Sequence, residues 1–295
     1  MHDSLGFPNE FDYEFYKSLW PEAAGMSPRE AHNHFRKFGS QYGLPGSPLA
    51  DMRIFVQFLS KLHFCQILEI GPWATPRMVG ENVCYFDVTS REKLQRSAKR
   101  MGIDPSSVPE INYQSEDGCL KCIDRKFDMI FSSHCIEHVY DIVRHLNEVA
   151  DLLEDGGIYA LIVPDKRYTF DYFRPTTSLG DIVDHHFRKL DRHTLKTFID
   201  SVYSAHNDPK RHWDNDHGEI VRMDATMLER AMELYRSTGG RGGRHAWIFT
   251  EETFREVFTQ LASMDLVHLQ PIRIYNTIRN SNSFCVVMKK TFNQH

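Results

Sequence analysis

Two imidazoles and a carboxylate fall within five positions at the end of an apolar run: His134-Cys135-Ile136-Glu137-His138 follows directly on Phe127-Asp128-Met129-Ile130-Phe131-Ser132-Ser133. Imidazole titrates near neutrality, so His138 or His134 could take a proton from a reacting group. His134, Glu137 and His138 are also three potential metal ligands. Two nitrogens and one oxygen favour a borderline cation such as Zn²⁺, Mn²⁺ or Fe²⁺ over Mg²⁺. A metal so held would bind an acceptor hydroxyl and lower its pKa. A structural alternative stands beside these: Glu137-His138 caps the following helix, and His134 presents only its backbone to a ligand.

The elements that must position these groups alternate in type. Strand candidates at 66–71, 83–88, 111–115, 127–133 and 157–164 are separated by helical patterns near 91–101 and 141–154. An amphipathic helix over 51–62 precedes them. This rhythm predicts βαβ units and a mostly parallel, doubly wound α/β sheet. Residues 165–247 break it with polar amphipathic segments around 181–203 and 224–237. A helix over 250–261 and strands 266–275 and 283–290 then follow; two strands in succession make an antiparallel hairpin.

Ligands of doubly wound sheets sit beyond the carboxyl ends of the strands, at the switch point. Gly71 closes the first strand, Ile67-Leu68-Glu69-Ile70-Gly71, where the backbone must come close to a ligand and a side chain would obstruct it. Asp87 ends the second strand and can accept both hydroxyls of a ribose. Asp117, after the third, can accept an adenine amino group, or can be an ordinary Asp117-Gly118 turn residue. Glu69 would face the cationic end of a cofactor. A dinucleotide site would want Gly-x-Gly-x-x-Gly at the first turn to cradle a pyrophosphate. Here Pro72-Trp73-Ala74-Thr75-Pro76 follows Gly71 instead, which argues against NAD more than against a cofactor without a pyrophosphate.

Over about residues 50–290 the chain resembles class I S-adenosylmethionine (SAM) methyltransferases, with the nearest likeness to those found beside bacterial glycan-assembly enzymes. Glu69-Ile70-Gly71 stands for that family's first motif, Asp87 for its ribose acid and Asp117 for its adenine acid. Phe127 through His134 is its fourth-strand motif, and Leu153-Glu154-Asp155-Gly156-Gly157 its turn before the fifth strand. The resemblance implies a seven-stranded Rossmann-like sheet with an antiparallel C-terminal hairpin. It implies SAM as cofactor, held by Glu69, Gly71, Pro72, Asp87, Asp117, Gly118, Ser133 and His134. Pro72-Trp73 departs from the family, whose members mostly carry a second glycine there. Small-RNA 2′-O-methyltransferases and ubiquinone-pathway O-methyltransferases place Glu-x-x-Glu-His at the fourth strand's end and bind a divalent metal with it. That pattern carries over at Glu137 and His138, with His134 in place of the first glutamate. His-x-x-Glu-His is also a zinc-protease signature, but that chemistry needs both histidines on one helix face, and the residues before His134 read as a strand.

Residues 1–48 read as a separate N-terminal helical unit and 49–295 as the methyltransferase domain, with 165–247 as its acceptor-binding insertion. In the first, Phe11, Phe15, Tyr16, Leu19 and Trp20 recur at helical spacing, and Ser27-Pro28-Arg29-Glu30 is a helix start. The stretch 10–46, with Phe11, Phe15-Tyr16, His34-Phe35, Gly39 and Gly43, resembles short modules that accompany bacterial surface-polysaccharide glycosyltransferases. That implies contact with glycan-assembly enzymes; a plain two-helix cover on the main domain is the alternative. The insertion holds seven of the 16 histidines, His185, His186, His193, His206, His212, His217 and His245, among Tyr168, Trp213 and Trp247. Such a polar, aromatic surface suits a sugar or glycan acceptor. Asp165, directly after the fifth strand, is the expected acceptor contact and, with His138 and His134, an expected catalytic residue. His185 or His186 is the expected fourth ligand of any metal.

The expected function is thus SAM-dependent O-methylation of a sugar hydroxyl in surface-polysaccharide biosynthesis. The alternatives are a SAM-binding domain without turnover, N-methylation of an amino sugar or other small molecule, and, remotely, an NAD-dependent oxidoreductase. The net charge of −5 over 295 residues offers no general field for a polyanion, so no nucleic-acid partner is expected. No apolar run approaches the ~18–20 residues of a membrane span. Met1-His2-Asp3-Ser4 has no basic stretch leading into an apolar one, so no secretion signal is expected. Six dispersed cysteines, Cys65, Cys84, Cys119, Cys122, Cys135 and Cys285, fit a reducing, cytoplasmic setting.

Overall fold

In a computed structural model, which describes residues 6–291, the apolar runs become seven strands. Met1-His2-Asp3-Ser4 lies outside the described residues. The strands are β1 (Ile67–Ile70), β2 (Val83–Asp87), β3 (Tyr113–Gln114), β4 (Phe127–Ser133), β5 (Leu153–Pro164), β6 (Leu269–Tyr275) and β7 (Ser283–Lys290). Their order in one sheet is β3-β2-β1-β4-β5-β7-β6. The first five run parallel, and β7 is antiparallel to both its neighbours. This is the expected Rossmann-like sheet with its C-terminal hairpin.

Alternation along the strands sends side chains to two faces, and each face is covered. Leu68 and Ile70 join Leu146, Val149, Phe254 and Phe258 from helices Ile142–Leu152 and Glu251–Ser263. Ile67 joins Met129, Phe131 and the residues Phe55 and Leu59 of helix Met52–Lys61. Helix starts are where the sequence puts its caps. Asp51, Asp141 and Thr250 accept from backbone N–H groups of the first turns that follow them.

Three elements differ from expectation. β3 is only two residues long, because the Asn112 side chain, accepting from Tyr85 N–H at 2.8 Å, replaces a rung of the ladder. β5 begins earlier, at Leu153, which pairs with Phe127 across a register shift that absorbs the Gly156-Gly157 turn. The segment over 181–203 is two helices, Leu179–Phe187 and Leu195–Asp200. Lys189 takes a left-handed φ of 51° between them, and Thr194 caps the second anew.

The insertion leaves and rejoins the sheet through neighbouring strands of backbone. Asp165 bridges Phe249, Thr177 N–H donates to Ile248 O at 2.8 Å, and Ile248 N–H donates to Thr177 Oγ1 at 2.8 Å. At the other end of the chain, helices Tyr13–Leu19 and Pro28–His34 share a small core of Tyr16, Ala23, Ala31 and Phe35. The Ser27–Glu30 capping box forms, and the second helix loosens into a wider turn that ends at Gly39. A Cβ at Gly39 would lie 2.6 Å from Tyr16 Oη. The segments flanking these helices cover the edge of the sheet. Glu10 accepts from Ile274 N–H of β6 at 2.7 Å and pairs with Arg255, while Asn276 bonds both Gly46 and Leu44. Covering β6 removes an exposed edge that could pair with another chain. Among the described residues no helix is long and apolar enough to cross a membrane.

Candidate active site

The chain steps from β1 to β2 on one side and returns to β4 on the other, so a crevice opens past the carboxyl end of β1. A cavity of about 820 Å³ fills it, a size that suits a nucleoside-sized ligand. Glu69, Gly71, Pro72, Asp87, Asp117, Gly118, Ser133 and His134 all line its wall. His138, Tyr140, Arg77, Arg144 and Arg241 line it too.

Gly71 has φ 70°, and a Cβ there would strike Cys135 Sγ. Cys135 in turn packs its thiol on Ile70 O at 3.2 Å, so the turns after β1 and β4 touch at this point. Glu69 is buried, and its carboxylate accepts from Arg77 N–H at 2.9 Å and Met78 N–H at 2.9 Å. It therefore pins the Pro72–Met78 loop in the place where a glycine-rich turn would have used backbone alone. Burial lifts its pKa to about 7. Burial likewise lifts Asp87 to about 6, against the N–H of Thr89, which donates to it at 2.8 Å. Asp117 is both turn and wall. Its Oδ1 accepts from Ser115 Oγ at 2.5 Å and Cys119 N–H at 3.1 Å, and its Oδ2 lies 3.8 Å from Arg144. The Ser115 hydrogen bond holds its carboxyl below the ordinary carboxylate range.

Past β4 the backbone turns sharply. His134 adopts a left-handed φ of 53°, its N–H donating to Ile162 O at 2.9 Å and its Nε2 lying 2.9 Å from Ser283 Oγ. Ile136–His138 form a single tight turn. Glu137 and His138 do not cap the next helix; Asp141 does, accepting from Arg144 N–H at 3.0 Å. That removes the capping alternative and leaves Glu137 to be explained.

Glu137 is fully buried, and neither of its carboxylate oxygens has a hydrogen-bond partner. Three imidazoles surround Oε1: His138 Nε2 at 3.7 Å, His245 Nε2 at 3.8 Å and His134 Nδ1 at 3.9 Å. Burial raises the Glu137 pKa to about 7. Each of His134 and His138 shows about a third of its side chain to the cavity. The protein around them still pushes both down to about 4, chiefly by desolvation, so both rings are neutral at pH 7. His138 Nδ1 is buried without a partner. Single ligand atoms of Glu137, His138 and His245 all lie within 4.8 Å of one another. A buried carboxylate with no partner is costly unless something else satisfies it, and two imidazole nitrogens beside it complete a donor set fit for a divalent cation.

The tight group differs from the expected ligand set: His245, from the far end of the insertion, stands in it with Glu137 and His138, while His134 has its Nδ1 3.9 Å from Glu137 Oε1 and its Nε2 2.9 Å from Ser283 Oγ. His185 and His186 are engaged elsewhere: His185 Nε2 with Arg192 O at 3.1 Å, and His186 Nδ1 with Asp141 at 2.8 Å. Asp165 is not an acceptor contact. It is fully buried, with Arg167 donating to both its oxygens and Thr277 Oγ1 donating at 2.8 Å. Sequence reading missed His245 because only tertiary folding brings it to Glu137; the density of histidines in the insertion was the sole hint.

Residues 72–161 match the family model described as "Methyltransferase domain". No curated protein matches the chain. Among solved structures, an S-adenosylmethionine-dependent methyltransferase from Clostridium acetobutylicum ATCC 824 is 12% identical, with 90% of this chain and 98% of that one covered at a TM-score of 0.42. The CcbJ methyltransferase from Streptomyces caelestis is 10% identical, with 83% of this chain and 96% of that one covered at a TM-score of 0.41.

Proposed function

We propose that this chain is a SAM-dependent methyltransferase that methylates a sugar hydroxyl in surface-polysaccharide assembly, with a divalent metal held by Glu137, His138 and His245. The observation that carries the metal part is the buried, unpartnered Glu137 carboxylate among three imidazoles, those of His134 and His138 in the cavity wall. When bound, the metal would bind the acceptor hydroxyl and lower its pKa. An imidazole with a pKa near 4 has little driving force to take a proton from an alcohol, yet it keeps its lone pair free for coordination at neutral pH. His138 is therefore assigned as a ligand rather than as the proton acceptor.

In this reading Asp87 accepts the ribose hydroxyls, Asp117 and Gly118 border the adenine, and Gly71 and Pro72 let the backbone approach the cofactor. Glu69, tied to the loop, fixes the shape of the methionine end. Methyl transfer is an in-line displacement on a sulfonium, so the residues' main work is alignment. The sugar side of the reading draws on Tyr140, whose ring lines the cavity beneath the Arg241 guanidinium at 5.9 Å. A flat apolar face beside a charged donor fits the C–H and O–H surfaces of a sugar. Residues 10–46 are proposed to meet glycan-assembly enzymes through the side turned away from β6.

The test is transfer of labelled methyl from SAM to sugars, nucleotide sugars and polysaccharide fractions. Transfer to a hydroxyl is expected, lost with chelator and restored by Mn²⁺ or Zn²⁺. Labelling of amines alone, or of no sugar while SAM still binds, refutes the sugar assignment; indifference to chelator refutes the metal.

A pH prediction comes with the ribose role. Asp87 has its pKa raised to about 6 by burial, so it is ionised at pH 7.5 and protonated at pH 5. Its charge, needed to accept two hydroxyls, is lost as pH falls through about 6. SAM affinity should then drop by up to about 10-fold per pH unit. Calorimetry between pH 5 and 8 reads this directly, and Asp87→Asn should flatten Asp87's share of the profile.

A further inference from the structure

We infer that Asp171, backed by Arg174, is a positioning residue that holds the His245 ring with its proton on Nδ1, so that Nε2 presents a lone pair to Glu137 and His138. The consequence for metal affinity rests on the reading above; the geometry does not. Asp171 Oδ2 lies 2.5 Å from His245 Nδ1. On its other side Arg174 Nη1 donates to Asp171 Oδ1 at 2.6 Å, and Arg174 Nη2 donates to His245 O at 2.8 Å. Both side chains of the pair are 3% exposed. Arg174 thus grips the ring's orienting carboxylate and its backbone at once.

The position of the ring is fixed separately. Ala246 N–H donates to Glu137 O at 2.8 Å, and Trp247 Nε1 donates to Val139 O at 2.6 Å. Residues 245–247 are therefore clamped to the turn that carries Glu137 and His138. Phe170 and His138 pack on the ring with centroids 4.6 and 4.7 Å away. What remains free is the ring's tautomer and flip, and a carboxylate at Nδ1 determines both. Arg174 Nη1, which can only donate, occupies Asp171 Oδ1, and Asp171 Oδ2 is left to accept from the ring, which puts the proton on Nδ1. A staple for the insertion would need the Asp171–Arg174 pair but not the third contact, to a ring whose other nitrogen faces an unpartnered carboxylate.

Two measurements on the full chain test this. Nitrogen-15 NMR of the metal-free wild type at pH 8, with the His245 signals assigned through His245→Gln, is expected to show a neutral ring protonated at Nδ1. A ring protonated at Nε2, or at both nitrogens, overturns the inference. Titration with Co²⁺, followed by its visible absorption, is expected to show Asp171→Asn binding about 10–100-fold more weakly than wild type, with SAM affinity retained. Equal Co²⁺ affinity in the two proteins overturns the inference while leaving the metal reading intact. A wild type that takes up neither Co²⁺ nor Zn²⁺ sinks the metal reading instead, and the NMR result then decides the positioning role alone. The same spectrum decides it if Asp171→Asn does not fold.

Discussion

Replacing Glu137 with glutamine is expected to remove about 1000-fold of the methyl-transfer rate while making the metal-free protein more stable at pH 8. The two effects have one cause. Glu137 is fully buried with both oxygens unpartnered, and burial lifts its carboxyl from an ordinary 4.5 to about 7. A group whose folded pKa is raised favours the fold while protonated, and that advantage is lost as pH rises through the folded value. Below pH 4.5 wild type and Glu137→Gln should unfold alike. From 4.5 to about 7 the variant should gain, reaching about 3 kcal/mol at pH 8. The amide keeps the shape but is a poor ligand, so transfer falls to the extent typical of losing an acid–base or metal contribution. Thermal unfolding across pH and labelled-methyl turnover check the two halves. Saturating metal should erase the stability gap by stabilising wild type alone. A variant that is both active and no more stable would show that the carboxylate is neither strained nor used.

Substituting alanine for Gly71 should be the most damaging single change on the cofactor side. At φ 70° a side chain is strained, and the new Cβ would strike Cys135 Sγ, which is itself packed on Ile70 O. Left-handed strain costs about 1–3 kcal/mol and overpacking about as much again. The turns after β1 and β4 must separate, and both line the cofactor cavity, so SAM affinity should fall by at least about 100-fold. The double variant Gly71→Ala with Cys135→Ala separates the terms. It should recover part of the unfolding temperature and of the SAM affinity, because the clash goes while the strain remains. Full recovery would show that conformation at this position is unimportant; none would show that the thiol was not the obstacle.

The sheet and the part of the cavity wall nearest β1 and β2 were legible because their logic is local. A glycine after β1 and an acid at the end of β2 occupy positions that strand order alone assigns to a ligand, and Gly71 and Asp87 are in the cavity wall. Where side chains find partners, the reading thins. Glu69 was visible as an acid, but that it grips Arg77 and Met78 N–H groups was not. Asp165 stands at a strand end like Asp87, yet an arginine two positions on and Thr277 from the hairpin connection close over it. His185 and His186 looked suitable by type, and their helix turns them to Arg192 and Asp141. His245 lay beyond reach for a different reason. Its place depends on backbone bonds from 246 and 247 to Glu137 and Val139, a juxtaposition that no spacing announces.

The side-by-side exit and return of the insertion, through Asp165–Phe249 and Thr177–Ile248, makes a closed neck. Asp171 and Arg174 lie between those two bridges and His245 beside them, while the helices from Leu179 to Thr238 extend beyond. The segment from Leu179 to Thr238 can be lengthened, trimmed or exchanged without removing the trio around Glu137. Under the role proposed for the insertion, new acceptors are open to such a scaffold at constant chemistry.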